Sequence, residues 1–204
     1  MRSFRSALAV GVLGLLPAVS IAQDAFMPWI VHAGAHEVSP QSNTGRLAGL
    51  RSSTSSDSRP TISLEYRFTP AWSVELLAAL PFRHDVRLNG SNAVSVKQLP
   101  PVAGVNYRFM PDRVVSPFVG VGVNRTHFFS AHGENALEGA RVELGDSWGI
   151  AWHAGIDVAL SERLVFTVDA RRLDIDAKLK VDGTRVGTAH VDPWAYGFSF
   201  GYRF

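Results

Sequence analysis

At the C-terminal end of the chain, apolar and small residues alternate with a period of two. Trp194, Tyr196, Phe198, Phe200, Tyr202 and Phe204 fall on one side, and Ala195, Gly197, Ser199, Gly201 and Arg203 on the other. In water a strand with so aromatic a face is an aggregation hazard. It suits a wall whose aromatic face meets lipid and whose small face lines a barrel interior. The same alternation predicts eight strands: residues 29–38, 61–68, 72 to about 83, 98–109, 116–129, 146–158, a seventh from 164 reaching as far as 181, and 193–204. In the second, Ile62, Leu64, Tyr66 and Phe68 oppose Ser63, Glu65 and Arg67. In the sixth, Trp148, Ile150, Trp152, Ala154 and Ile156 oppose Ser147, Gly149, Ala151, His153, Gly155 and Asp157.

The connections alternate in length. Those after strands two, four and six are short, centred on Pro70, Pro111 and Ser161-Glu162-Arg163. Those after one, three, five and seven are long and polar or glycine-rich, covering 39–60, 84–97, 130–145 and 182–192. An even number of strands with alternating short turns and long loops predicts an all-β, eight-stranded antiparallel up-and-down transmembrane β-barrel with both termini periplasmic. Residues 52–58 (SSTSSDS) read as a mobile loop tip without chemistry. Alternation is shared by a secreted lipocalin-like barrel, whose apolar face points inward. Three features place lipid outside instead. Trp29, Trp72, Tyr107, Phe109, Tyr202 and Phe204 gather near the proposed periplasmic ends as an aromatic girdle. The opposite faces are rich in glycine and charge. Cysteine is absent, so no disulfide closes the fold. A charge placed on the outward face is expected to disturb assembly most near the bilayer middle, as in Ile150→Arg.

The N-terminus reads as a cleaved export signal over residues 1–22, preceding a barrel over 23–204. Arg2 and Arg5 form its basic part, Ala7 through Leu16 its apolar part, and Ser20-Ile21-Ala22 the cleavage site. The other reading is an uncleaved anchor, for which the apolar run is short. Beyond it no apolar run suits a transmembrane helix, although 46% of the 204 residues are hydrophobic. Spreading apolar residues over alternate positions gives that combination. The net charge of +2 comes from scattered residues with no basic run, which excludes nucleic acid as a partner.

Several motifs resemble the outer-membrane protein W (OmpW) family. Lys97-Gln98-Leu99-Pro100-Pro101 is similar to its Lys-His-Leu-Pro-Pro element, with Gln98 in place of the histidine. The stretch from Ser116-Pro117-Phe118-Val119-Gly120 through Asn124 resembles its Pro-Tyr-Val-Gly-Ala-Gly-Leu-Asn, with Phe118 in place of the tyrosine. Asp146-Ser147-Trp148-Gly149, Gly155-Ile156-Asp157, Asp192-Pro193-Trp194 and Gly201-Tyr202-Arg203-Phe204 match further elements in order. The resemblance implies a Gram-negative outer-membrane barrel with a largely hydrophobic interior that passes small hydrophobic molecules inward.

Candidate chemistry sits on the inward faces. By strand direction, Arg67, Glu75, Arg108, Asp157 and Arg203 fall toward the periplasmic end, where they form a charge plug or, alternatively, a solvated rim. Higher up, Leu77, Val102, Phe128 and Ala151, with Ala79 and Ala195, would line an apolar pocket open to the outside or, alternatively, simply fill the barrel interior; Glu65, His153, Asp169 and Arg171 project into the same space. Pro100 and Pro101 cannot donate to a ladder, so they mark either a lateral gap through which a solute leaves into the membrane or the end of pairing above it. His32 and His36 share a face but stand roughly 13 Å apart along a strand, too far for one metal ion. Ser147, His153 and Asp157 share a face without triad spacing; His127 and His132 lie near the third loop, and neither a catalytic site nor a cofactor is predicted. The partners expected are outer-membrane lipids, small hydrophobic solutes, and the barrel-assembly machinery through Phe204. The competing function is a structural or receptor-like barrel acting through its loops without transport.

Overall fold

The computed structural model describes residues 26–41, 44, 46–47 and 49–204; the export signal expected over residues 1–22 lies outside the described residues. In chain order the strands are β1 (Trp29–Ser39), β2 (Arg46–Leu47), β3 (Leu50–Thr54), β4 (Asp57–Arg67), β5 (Trp72–Ala79), β6 (Phe82–Leu88), β7 (Ser91–Leu99), β8 (Val102–Arg108), β9 (Val115–Gly133), β10 (Val142–Leu144), β11 (Ser147–Ala159), β12 (Leu164–Leu173), β13 (Asp176–Val181), β14 (Thr184–His190) and β15 (Trp194–Arg203). A short 3-10 turn, Asn135–Leu137, precedes β10.

Eight of these close a wall in the order β1-β4-β5-β8-β9-β11-β12-β15, every neighbour antiparallel, with β15 returning to β1. Ile30 pairs with Arg203 at one end of the closing seam and Ser39 with Trp194 at the other. The period-two pattern decides which way each residue faces. On β11, Trp152 is 60% exposed while its neighbours Ala151 and His153 are 2% and 9% exposed. On β15 every aromatic residue from Trp194 to Phe204 is exposed, and Ala195 and Ser199 are buried. The lipid-facing assignment of the apolar faces therefore holds around the wall. At the end bearing the termini, Trp29 packs on Tyr66 with centroids 4.7 Å apart, and Trp72 on Tyr107 at 4.8 Å. This is the expected aromatic girdle.

Five strand limits differ from the sequence expectation by four residues or more, the second wall strand beginning at Asp57 rather than at residue 61. The third wall strand stops at Ala79 rather than near residue 83, and the chain resumes as β6 beyond Pro81. The fourth starts at Val102, because Pro100 and Pro101 offer no backbone donor, and Gln98 belongs to β7. The fifth runs on to Gly133. The seventh ends at Leu173, and residues to 181 form the separate β13.

The long connections are not plain loops. β6 and β7 pair as a hairpin and add to the upper half of β9, with β3 and β2 continuing that sheet; β10, β13 and β14 form a second small sheet. Asn89-Gly90 and Asp182-Gly183 turn the two hairpins with positive φ at both residues, 48° and 89°, then 50° and 79°. Such pairs match the right-handed twist of the flanking strands and are the strongest local hairpin signal. The expected mobile tip at 52–58 lies mostly within β3 and β4, and Ser52 is fully buried. A serine-rich strand carries no hydrophobic alternation, so its pairing is set by distant partners.

Beyond the rim, these hairpins converge on an apolar core that includes Leu47, Val86, Val94, Phe128, Ile175 and Leu179. The interior thus divides into a polar section within the wall and an apolar section toward the loops.

Candidate functional site

The polar section is built in two tiers. In the tier nearer the termini, Arg108 on β8 reaches Asp157 on β11 (Nε to Oδ2, 2.7 Å) and Glu65 on β4 (Nη1 to Oε1, 2.6 Å), and donates to Ser73 Oγ at 3.0 Å. Thr167 donates to the second Asp157 oxygen at 2.7 Å, and His32 Nε2 lies 3.3 Å from Glu65 Oε2. In the second tier, Arg171 on β12 donates to Glu75 at 2.9 Å and to Asp169 at 3.2 Å. His153 lies 3.0 Å from Asp169 and 3.2 Å from Asn106 Oδ1, and His36 bridges Asp169 (3.1 Å) and Thr61 (2.8 Å). Glu65 and Glu75 are register partners on β4 and β5. Like charges so placed repel; each is matched instead by its own arginine. Phe118 closes one side, edge-on to His153 at 4.8 Å and under the Arg108 guanidinium at 5.5 Å.

The five residues expected as a single plug divide between these groups. Arg108 and Asp157 pair directly, whereas Glu75 belongs to the second tier with Arg171. Arg67 and Arg203 form no ion pair among the described residues. Arg67 donates to the Pro70 carbonyl at 2.8 Å and stacks over Phe26 at 5.3 Å, and the Nε atoms of both arginines have no hydrogen-bond partner. Glu65, Asp169, Arg171 and His153, expected in the upper pocket, form the network with His32 and His36. Sequence reasoning placed each on the inward face but left the partners unassigned. Some of those partners, Arg108 with Glu65 and Arg171 with Glu75 among them, lie on non-adjacent strands and are brought together by barrel closure. Between the tiers remains a cavity of about 20 Å³, lined by His32, His36, Glu65, Asp169 and Arg171 among others. That is room for about one water molecule.

Leu77, Val102, Phe128 and Ala151 do come together immediately above this network. Val102, Phe128 and Ala151 are buried members of the apolar core, and Leu77 packs against it; Ala195 joins Val38 and Phe82 in a smaller cluster, with Ala79 against it. The expectation of a pocket standing open is corrected: these side chains fill the section against one another, with the hairpins beyond the rim closing over them. A solute would have to part them.

Pro100, buried, and Pro101, half-buried, sit where β7 hands over to β8. On the β9 side, Leu99 pairs with His127 and Val102 with Asn124, and the Arg125 N–H donates to the Pro101 carbonyl at 3.2 Å. On the other side, Leu77 pairs with Val102 and Phe82 with Gln98, so four residues, Ala78 to Pro81, face three, Leu99 to Pro101. Three of the seven are prolines. The ladder between the third and fourth wall strands is interrupted here, at the level of Leu77 and Val102.

Gln98 is 1% exposed and donates from Nε2 to His84 Nε2 at 2.9 Å; His84 Nδ1 donates to the Ser55 carbonyl at 2.6 Å. Burial holds the His84 imidazole below its ordinary value, opposed in part by the Ser55 carbonyl. Ser147, His153 and Asp157 stay in separate contacts: Ser147 Oγ accepts from the Asp176 N–H at 2.9 Å, while His153 and Asp157 belong to different tiers. His127 lies at 2.7 Å from Asp146, and His132 at 2.9 Å from the Ser130 carbonyl. Toward the loops, Asp174, Asp176 and Asp192 bring carboxylate oxygens within 4.8 Å of one another. Burial and the two neighbouring aspartates raise the Asp174 carboxyl above its usual range.

The OmpW family profile matches residues 28–204. Outer membrane protein W of Escherichia coli strain K12 is 31% identical over 207 residues, spanning 96% of this chain and 97% of that protein. The crystal structure of the outer membrane protein OprG from Pseudomonas aeruginosa superposes with a TM-score of 0.76 at 32% identity, covering 86% of this chain and 95% of that one. The solution structure of the E. coli outer membrane protein W gives 0.63 at 30% identity, covering 87% and 97%.

Proposed function

Because the chain belongs to the OmpW family and folds as an eight-stranded barrel of the outer membrane, we propose that it admits small hydrophobic molecules at the loop end and releases them sideways into the membrane. The observation that carries this reading is the vertical order of the interior. A closed polar network blocks the wall from within, an apolar section lies directly above it, and the ladder gap at Pro100 and Pro101 opens at their junction. A hydrophobic solute moving inward would have to desolvate several buried ion pairs to continue along the axis. Departure through an unpaired stretch of wall asks only that apolar side chains separate. In this reading the loops face outside and both termini face the periplasm. Arg108, Asp157, Glu75 and Arg171 bar the axis, with Arg67 and Arg203 standing below them. Leu77, Val102, Phe128 and Ala151 form the solute path. The exposed Phe204, whose backbone pairs with Trp29 at 2.9 and 3.2 Å, presents the terminal aromatic to the barrel-assembly machinery.

The test is uptake of a small fluorescent hydrophobic solute by liposomes holding the refolded barrel. Leu77→Arg should reduce uptake to near the empty-liposome rate, since a charge in an apolar passage is strongly disfavoured. Pro100→Val with Pro101→Val, which restores two ladder donors, should slow it severalfold. Equal rates for all proteins and empty liposomes would sink the transport reading and leave a barrel that acts through its ordered hairpins.

A further inference from the structure

The outward surface of the wall carries a groove of about 550 Å³ whose lining is almost wholly apolar. Its floor is small: Gly120 on β9, and Ala154 and Ala170, which are register partners on β11 and β12. Directly above the two alanines, Trp152, Arg172 and Trp194 form one row across β11, β12 and β15, each the register partner of the next. Arg172 is the penultimate residue of β12, at the loop end of the wall.

The state of that arginine is unusual for a lipid-facing position. Its guanidinium lies 5.9 Å from the Trp194 ring, and Nη2 is 3.9 Å from Asp192, a long contact. Nη1 is shielded from solvent and has no hydrogen-bond partner. A guanidinium cannot shed its proton, so this donor stays charged and asks for an anion. A second arginine–tryptophan pair stands on the same face, outside the groove's own lining. Arg125 lies 5.6 Å from the Trp148 ring, with Nη2 at 3.1 Å from Asp146. Trp148 and Trp152 are four residues apart on β11, roughly 13 Å along the strand.

We propose that this groove is a binding site for one molecule of lipid A, the diphosphorylated, multiply acylated glycolipid of the outer leaflet. One phosphate is met by Arg172, whose planar fork suits a phosphate's oxygens. The second is met at Arg125, and an acyl chain lies over Ala154 and Ala170. A lipid with one phosphate would use a single station, so the pair calls for a diphosphorylated lipid, and at the loop end of the wall the outer leaflet supplies the glycolipid. The proposal rests on the loops facing outside; it is independent of the solute path, and a barrel that takes up no solute would still bind.

Native mass spectrometry of the refolded barrel in detergent, offered lipid A, cardiolipin or phosphatidylethanolamine, tests it. The wild type should retain one lipid A in preference to either phospholipid by about tenfold. Arg172→Gln and Ala170→Leu, the latter filling the groove without touching charge, should each lose most of that preference. Ile62→Leu, outward on β4 and away from the groove, should keep it. Heat-dependent gel mobility verifies that each variant is folded, and Ala170→Leu serves if Arg172→Gln does not assemble. Folded variants that retain lipid A like the wild type would overturn the site, and so would cardiolipin retained as well as lipid A.

Discussion

Arg108 illustrates what a single residue does inside this wall. It neutralises Glu65 and Asp157 at once, at 2.6 and 2.7 Å, in a space from which solvent is excluded. Buried pairs of this kind add little net stability when formed, because desolvation offsets attraction; removing one partner is a different matter. Arg108→Met leaves two buried carboxylates facing each other and should destabilise the barrel by about 3–5 kcal/mol, read as a lower urea midpoint for unfolding from lipid vesicles. Glu65→Gln with Asp157→Asn in the same background should recover much of the loss. His84 acts at the same scale beyond the rim. Its folded value is depressed by burial, so it is neutral when paired with Ser55 and Gln98. The stability it contributes is present above the unfolded imidazole value of about 6.5 and is lost as pH falls through the lower folded value. In an NMR titration its ring signal should stay unprotonated below the ordinary imidazole value of about 6.5; titration at or above that value would refute the buried assignment.

Among the elements, β9 carries the longest reach. Its lower half pairs with β8 and β11 in the wall, and its upper half with β7 beyond the rim. The wall and the sheet that closes the apolar section are therefore mechanically one piece, and the interruption at Pro100 and Pro101 lies at their seam. Depth along an element also sets what its outward face tolerates. Val168 lies near the middle of β12, whereas Ile150 sits near the loop end of β11, beside Asp174, whose N–H donates to the Ile150 carbonyl at 2.9 Å. Val168→Arg should cost about 2–4 kcal/mol of folding stability in a bilayer and Ile150→Arg about 0–1 kcal/mol, so the disturbance expected at Ile150 is the smaller of the two. Equal costs, measured by reversible unfolding in vesicles, would show that this depth ordering is wrong.

At the scale of the whole molecule, the interior is a stack: terminal arginines, two tiers of paired charge, an apolar section and a cover of hairpins. The sequence by itself determined the wall. Period-two alternation is a local property, and one residue of slip would turn every aromatic side chain of β15 toward the interior, so face and strand number could be read directly. It also carried the hairpin turns, in Asn89-Gly90 and Asp182-Gly183, although hydrophobic periodicity passed over them because β3, β6 and β14 are mostly polar. Which inward charge meets which was decided only by the tertiary structure. Arg108 and Glu65 are 43 positions apart in the chain, and Arg171 and Glu75 are 96 apart. Strand register and barrel closure set their relative heights, and neither is a local property. The filled state of the apolar section has the same origin. Its lining is visible strand by strand, but the side chains that occupy it come from hairpins folding back over the rim, and their approach depends on long-range pairing with β9.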